Sequence, residues 1–319
     1  MLSAQLLPDG SVQFVAYWNK GDLMKYQVVQ RNERIDEKGD TTVIKSSSEV
    51  MSLEVADVTD STYTLAVRSD DLFSVDTRIK DDSFLERVEM SPIRLVTDSF
   101  GTPKYYENLD ELVEETKALI PQIVESIYKS VNKNDRKLLD KKAMKENLVA
   151  SLATPEFIEA ICEEEVTALL QFHGVRLDTT SMFTVPSQRT VLNSEPIDVN
   201  TDFWVDSAQT DSTFAVIRMH THIGLDQLSG VAASFADWSL SLFKGNHEGD
   251  VASELDKTFD TVFKDMEGGV DEYSFLLIHL PTGWPVQYEF YKETTISHDG
   301  KTFQQIESRT VELLSEDDE

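Results

Sequence analysis

The sequence predicts an α+β protein built mainly on antiparallel β-sheet, with a helical segment in the middle of the chain. Apolar and polar residues alternate with a period of two near both ends, for example over 24–28 and 286–291, which is typical of half-buried strands. Over 108–174, apolar residues instead recur at three- and four-residue spacing, which is typical of amphipathic helices. We therefore expect one or two large, curved antiparallel sheets with the helices packed on one face.

The chain shows no Pro- or Gly-rich linker between these blocks, so we predict a single composite domain over residues 1–314. Its predicted parts, in chain order, are an N-terminal β half at 6–107, the helical segment at 108–174, and a C-terminal β half at 181–314 that contains one helix near 252–266. Residues 315–319 are nearly all acidic, and we expect them to form a disordered tail.

Local signals refine the helical segment. Asn108 followed by Glu111 resembles a capping box at the start of the first helix. Pro121 lies within that helix and is expected to kink or interrupt it. A second helix is predicted at about 135–152, and a third begins with Thr154 as N-cap and proline at the next position.

Charge excludes some classes of partner. The 319 residues include 58 acidic and 29 basic side chains, for a net charge of −29. Such a surface repels nucleic-acid phosphate and anionic lipid headgroups, so we expect no nucleic-acid partner. Cys162 is the single cysteine, so an intrachain disulfide is impossible, and its apolar helical surroundings indicate a core thiol.

Three short segments carry a resemblance to a known family. They are the turn and strand at 17–28, the passage from strand to helix at 97–112, and the segment Thr282–Pro285. Together they resemble a family of uncharacterised bacterial cell-envelope proteins with a Lys-Gly-Asp opening turn and a Thr-Gly-Trp closing segment. The resemblance implies an exported protein and supplies no catalytic residues. Helix-covered curved sheets also occur in periplasmic lipoprotein carriers, an analogy of fold alone that suggests lipid binding.

The start of the chain bears on localisation. Residues 1–5 end in small side chains of the kind found at a signal cleavage site, although no complete signal peptide precedes them. No stretch approaches the roughly 20 apolar residues of a transmembrane helix. We expect a periplasmic or secreted protein, with a cytoplasmic location as the alternative.

His220 and His222 are the candidate metal ligands. On a strand they point to the same face, about 7 Å apart, and with a carboxylate they would suit zinc. The segment also resembles the His-x-His loop of JAMM metalloproteases. Ile223 replaces that family's proline, and Ala232 stands where its metal-binding aspartate belongs. That zinc site would be incomplete unless Asp226 or Asp237 substituted.

Three functional hypotheses follow. We favour a non-catalytic envelope protein that binds a hydrophobic small molecule or a protein partner within the helix-covered sheet, with Tyr26, Trp204 and Trp284 as candidate lining residues. The first alternative is a metal-dependent hydrolase that uses His220 and His222. The second is an acidic protein that binds a basic partner through its surface. No phosphate-binding loop or nucleophile motif is present, so an enzyme is the less favoured class.

Overall fold

A computed structural model of the protein describes residues 6–69, 90–131, 136, 139–189, 196–224, 227, 267–298 and 301–315. Its largest element is an antiparallel sheet of eleven strands. In spatial order these strands are β6 (Pro103–Tyr106), β5 (Ile93–Asp98), β4 (Thr62–Ser69), β3 (Thr41–Val58), β2 (Leu23–Ile35), β13 (Lys301–Leu313), β12 (Trp284–His298), β11 (Glu267–His279), β10 (Phe214–Gly224), β9 (Ile197–Val205) and β8 (Met182–Arg189). Two further strands, β1 (Ser11–Gln13) and β7 (Arg176–Asp178), form a small separate sheet.

The two halves of the chain meet at the centre of the large sheet, where β2 pairs with β13. Val28 lies opposite Val311, and Tyr26 lies opposite Leu313, so apolar residues of both halves share one face. We call this helix-covered side the inner face and the opposite side the outer face. The predicted α+β class is therefore confirmed, with one large sheet and one small sheet.

The described residues of the helical segment form four helices. They are α1 (Leu109–Ser130), α2 (Lys141–Leu152), α3 (Pro155–Cys162) and α4 (Ala168–Leu170), with a π-helical turn between the last two. The predicted cap of α3 is confirmed, because the Thr154 hydroxyl accepts a hydrogen bond from the backbone N–H of Phe157. None of the helices in the described ranges combines the length and apolar composition that crossing a membrane requires.

Three details of the helix predictions are wrong. Asn108 does not cap α1 with its side chain; instead its Oδ1 accepts the backbone N–H of Arg94, an interaction with the neighbouring strand. Helix α1 continues through Pro121, so the predicted interruption does not occur, while a kink at this residue stays a prediction. Helix α2 begins at Lys141, because the Asp140 carboxylate accepts the N–H groups of its first turn and acts as its cap.

The main core lies between the inner face and the helices. Cys162 is fully buried there, as expected for a core thiol. Tyr26 has no accessible surface, and its hydroxyl donates a 2.9 Å hydrogen bond to the carbonyl of Pro285. Trp284 is 3% exposed and stacks on Trp18 with ring centroids 4.5 Å apart. The core at these positions is thus filled by side chains of the protein itself.

The chain from Phe14 to Trp18 passes through this core without joining the large sheet. Its backbone N–H groups bond instead to carbonyls of three separate parts of the chain, at Val175, Phe100 and Thr282. These bonds, to the residue that follows the helical segment and to both β halves, satisfy the backbone N–H groups of Phe14, Ala16 and Tyr17. The alternation of apolar residues in this segment therefore marks a buried extended chain and only a short strand, β1.

Several strands are longer than the sequence pattern predicts. β2, β3 and β12 have 13, 18 and 15 residues and extend past the last core residues of the inner face. The edge strands β6 and β8 lie within the predicted β halves at 6–107 and 181–314. The predicted helix near 252–266 lies outside the described residues, as does the predicted tail beyond Ser315.

Candidate functional site on the outer face

The candidate site lies on the outer face of strands β10, β11 and β12. Two rows of paired residues cross these strands. His220 lies opposite Tyr273, which lies opposite Tyr291; in the next row His222 lies opposite Asp271, which lies opposite Glu293. We call these six residues the outer patch. Because facing residues in an antiparallel sheet are close neighbours, the rows bring aromatic rings, imidazoles and carboxylates together.

Asp271 connects the two histidines. Its Oδ1 atom lies 3.0 Å from Nε2 of His220 and 3.0 Å from Nδ1 of His222. A carboxylate oxygen only accepts, so both imidazoles must donate; His220 then carries its proton on Nε2 and His222 on Nδ1. One ionised aspartate therefore fixes the tautomer and orientation of two histidines.

A glycine opposite the end of β10 makes room for this arrangement. A Cβ atom at Gly269 would lie 3.1 Å from Cε1 of His222 and 2.6 Å from the carbonyl oxygen of Ile223. A side chain at this position would therefore displace the imidazole or the strand. The absence of a Cβ at Gly269 allows His222 to turn towards Asp271.

Asp271 and Tyr291 have perturbed pKa values. Partial burial opposes ionisation of Asp271, but hydrogen bonds and charges from His220 and His222 outweigh it and hold the pKa of Asp271 below its usual value. Burial and the nearby carboxylates of Glu293 and Glu33 raise the pKa of Tyr291. The phenol of Tyr291 therefore lies in a negative local potential and remains protonated at neutral pH.

The aromatic rings of the patch are accessible. Tyr273 is 45% exposed and Tyr291 is 36% exposed, and their ring centroids lie 6.4 Å apart. The ring of His220 stacks on Tyr273 with centroids 4.6 Å apart and an interplanar angle of 13°. Two tyrosine rings are thus held side by side at the surface, one of them supported by an imidazole.

A third row lies beside the patch on the same face. Arg218 forms a 2.9 Å ion pair with Asp206 through Nε, and its guanidinium lies 5.4 Å from the ring centroid of Phe275. Trp204 lies opposite Arg218 on β9 and is half-buried. The charge of Arg218 is already balanced by Asp206, so this row borders the patch without neutralising it.

The predicted metal ligands His220 and His222 are brought together on one strand face, and Asp271 supplies the carboxylate that the metal hypothesis required. Within the ranges that the structure describes, however, no group of three or more His, Cys, Asp or Glu side chains is arranged to hold a metal ion. Asp226, Asp237 and Ala232 of the JAMM comparison lie outside those ranges. The zinc site therefore stays a prediction.

The three predicted ligand-lining residues do not form one site. Tyr26 and Trp284 are core residues of the inner face, while Trp204 lies on the outer face near Arg218. Tyr26 has no surface in contact with open space, so it lines no cavity large enough for a water molecule. Of the three, only Trp204 is close to the outer patch.

Sequence reasoning missed Asp271, Tyr273, Tyr291 and Glu293 as members of a site. Asp271 and Tyr273 lie about fifty positions after the histidines that they face, and Tyr291 and Glu293 lie about twenty positions further along the chain. Only the register of β10, β11 and β12 brings these residues together. One signal was available: Gly268–Gly269 before an alternating run indicates a close backbone approach at the start of a strand.

Neither a protein-family model nor a curated protein matches the chain. The resemblance to cell-envelope proteins therefore stays a prediction, and the functional argument depends on the geometry of the outer face.

Proposed function

We propose that this is a non-catalytic interaction protein whose outer patch binds a basic segment of a partner polypeptide. The observation that carries the proposal is the pair of exposed tyrosine rings, Tyr273 and Tyr291, in a row bordered by the paired carboxylates of Asp271 and Glu293. Exposed aromatic rings next to carboxylates are suited to bind lysine and arginine side chains.

Electrostatics favours a cationic partner at two levels. The net charge of −29 attracts basic polypeptides over a distance of about one Debye length and speeds their encounter. Locally, burial and the nearby carboxylates of Glu293 and Glu33 raise the pKa of the Tyr291 phenol, so negative charge lies close to this ring. A basic side chain placed there would meet both an aromatic face and carboxylates.

The aromatic contribution is modest for each ring. A cation over an exposed aromatic face contributes about 0.5–1 kcal/mol. Two adjacent tyrosines would give at most about 2 kcal/mol, so the carboxylates must supply much of the attraction. Affinity should therefore depend on salt as well as on the rings.

The proposed binding site lies on the surface of the protein and not between the sheet and the helices. A hydrophobic ligand between sheet and helices was the favoured expectation, but the residues proposed to line that site, Tyr26 and Trp284, are packed in the core. The expected location in the cell envelope stays a prediction, and binding at the outer patch does not depend on it.

The test is a titration with a fluorescent lysine- and arginine-rich peptide at several salt concentrations. We expect affinity to fall steeply as salt rises, and a peptide with glutamine in place of its basic residues not to bind. Glu293→Gln should weaken binding several-fold, because it removes charge beside the rings.

Glu146→Gln provides the matched control. Glu146 is an exposed carboxylate on α2 and forms an i,i+4 ion pair with Lys142. Helix α2 belongs to the helical segment, whereas the outer patch lies on the side of the sheet that the helices do not cover. Equal weakening by both substitutions would show that only the overall charge matters and would contradict a defined site, as would affinity that does not change with salt.

A further inference from the structure

A second candidate site lies on the inner face, where the long central strands extend beyond the core. After the core residues Val28 and Val311, the inner-face positions change from apolar to polar. Arg309 lies opposite both Phe290 and Gln30, one step along the inner face beyond Val311. This region is independent of the outer patch and of the function proposed for it.

A pocket of about 240 Å³ opens at this boundary. The inner-face residues that line it are Gln30, Asn32, Lys45, Phe290, Glu307 and Arg309. Phe290 packs partly against the main core and supplies an apolar wall. The volume is below the usual 300–1,000 Å³ of drug-sized ligand sites, so a ligand would have to be small.

The charges of the pocket differ from those of the chain as a whole. Lys45 and Arg309 are both cationic, whereas acidic residues outnumber basic ones two to one overall. Glu307 is the one carboxylate among these six residues, and it lies 3.5 Å from Lys292. Arg309 is only 7% exposed, so its attraction for an anion is less screened by water than that of a surface charge.

Asn32 adds a second requirement for the ligand, a hydrogen-bond donor. Its side-chain oxygen is buried and accepts no hydrogen bond from the described part of the chain. A buried acceptor without a donor is costly, so this atom favours a ligand that carries an N–H or O–H group. The two cationic side chains and this buried hydrogen-bond acceptor therefore line the same small pocket.

We propose that this pocket binds a free α-amino acid with an apolar side chain. The carboxylate would face Arg309 and Lys45, the ammonium would donate to Asn32 and face Glu307, and the side chain would contact Phe290. Each group of such a ligand then meets a lining residue of complementary chemistry.

The test is calorimetric titration with L-phenylalanine, followed by two matched probes. Phenethylamine lacks the carboxylate, and 3-phenylpropionate lacks the amine. We expect one site per chain for L-phenylalanine, no detectable binding of phenethylamine, and at least tenfold weaker binding of 3-phenylpropionate. Absence of L-phenylalanine binding, or equal binding of the three probes, would overturn the proposal.

Variants locate the site. Asn32→Leu removes the side-chain oxygen that would accept a hydrogen bond from the ligand ammonium and should reduce affinity at least tenfold. Lys45→Gln changes an exposed residue, so folding is retained, and affinity should fall several-fold. Lys38→Gln, in the exposed turn between β2 and β3, is the control and should leave affinity unchanged. Unchanged affinity in Lys45→Gln, or an equal loss in Lys38→Gln, would contradict this location.

Discussion

The Nε2 atom of His173 lies 2.7 Å from the carbonyl oxygen of Gly283, inside the core. The other ring nitrogen, Nδ1, lies 3.1 Å from the carbonyl oxygen of Leu170, the last residue of α4. The ring also packs against Trp18, with centroids 5.3 Å apart. His173 therefore joins the end of the helical segment to the turn between β11 and β12.

Burial makes His173 sensitive to acid. Loss of solvation lowers the pKa of His173 below 6.5, although hydrogen bonds and Asp98 oppose the change. Between that lowered value and 6.5 the unfolded chain binds more protons than the folded chain, so stability falls as pH decreases through this interval. We expect His173→Gln to cost about 1–3 kcal/mol at pH 7.5, because the neutral imidazole donates one buried hydrogen bond that the variant loses.

The measurement is the free energy of unfolding in urea at pH 7.5 and pH 5.0, for the wild type and His173→Gln. The wild type should lose more stability between the two pH values than the variant. His222→Gln is the control because His222 is exposed, and it should retain the acid sensitivity due to His173. Identical pH dependence in the wild type and His173→Gln would contradict the assignment.

Gly101 allows the chain to pass close to His173. Its φ is +89°, and a Cβ atom there would lie 2.7 Å from both Cβ of Ala16 and Cδ2 of His173. Gly21 has nearly the same φ, +90°, but open space around it. Gly21→Ala should therefore cost only the backbone strain, about 1–2 kcal/mol.

Gly101→Ala should cost that strain and about 1–3 kcal/mol more, because the added methyl group overpacks the core. The comparison is made by urea unfolding at pH 7.5. An equal loss of unfolding free energy in the two variants would contradict the prediction, because the close contact with His173 would then add nothing to the cost of Gly101→Ala.

Zinc tests the alternative function based on His220 and His222. Because Oδ1 of Asp271 lies within hydrogen-bonding distance of both imidazoles, a metal ion would have to replace two hydrogen bonds. We expect that removing metal with EDTA, or adding one equivalent of zinc, leaves the thermal unfolding midpoint unchanged. Stoichiometric zinc that is lost in His222→Ala but kept in His279→Ala would contradict this and favour the metal-dependent hydrolase.

Local sequence patterns predicted the elements whose signals are short-range. Alternation gave the strands that pack on the core, and Thr154 with Pro155 marked the start of α3, because capping needs only neighbouring residues. The outer ends of β2, β3 and β12 lack clear alternation because both of their faces are polar. These strand ends are ordered by hydrogen bonding to the neighbouring strands. The sequence of one strand alone does not reveal that pairing, so it does not predict the strand's full length.

The site was predictable only in part. His220 and His222 were expected on one strand face from their spacing alone. The carboxylate between them, Asp271, depends on the register of two strands separated by more than forty residues of chain. Tyr26 and Trp284 show the opposite difficulty, since an aromatic residue in a strand has the same pattern in a filled core and in a binding cavity.

The most direct test of the central claim is the affinity of the basic peptide for Tyr273→Ala and Tyr291→Ala, each compared with Tyr105→Ala. Tyr105 is a matched control because it is 58% exposed and lies on β6, at one edge of the sheet. We expect each patch substitution to weaken binding about two- to fivefold, as loss of a cation–π contact implies, and the control to bind like the wild type. Wild-type affinity in both patch variants, or an equal loss in Tyr105→Ala, would contradict binding at the outer patch.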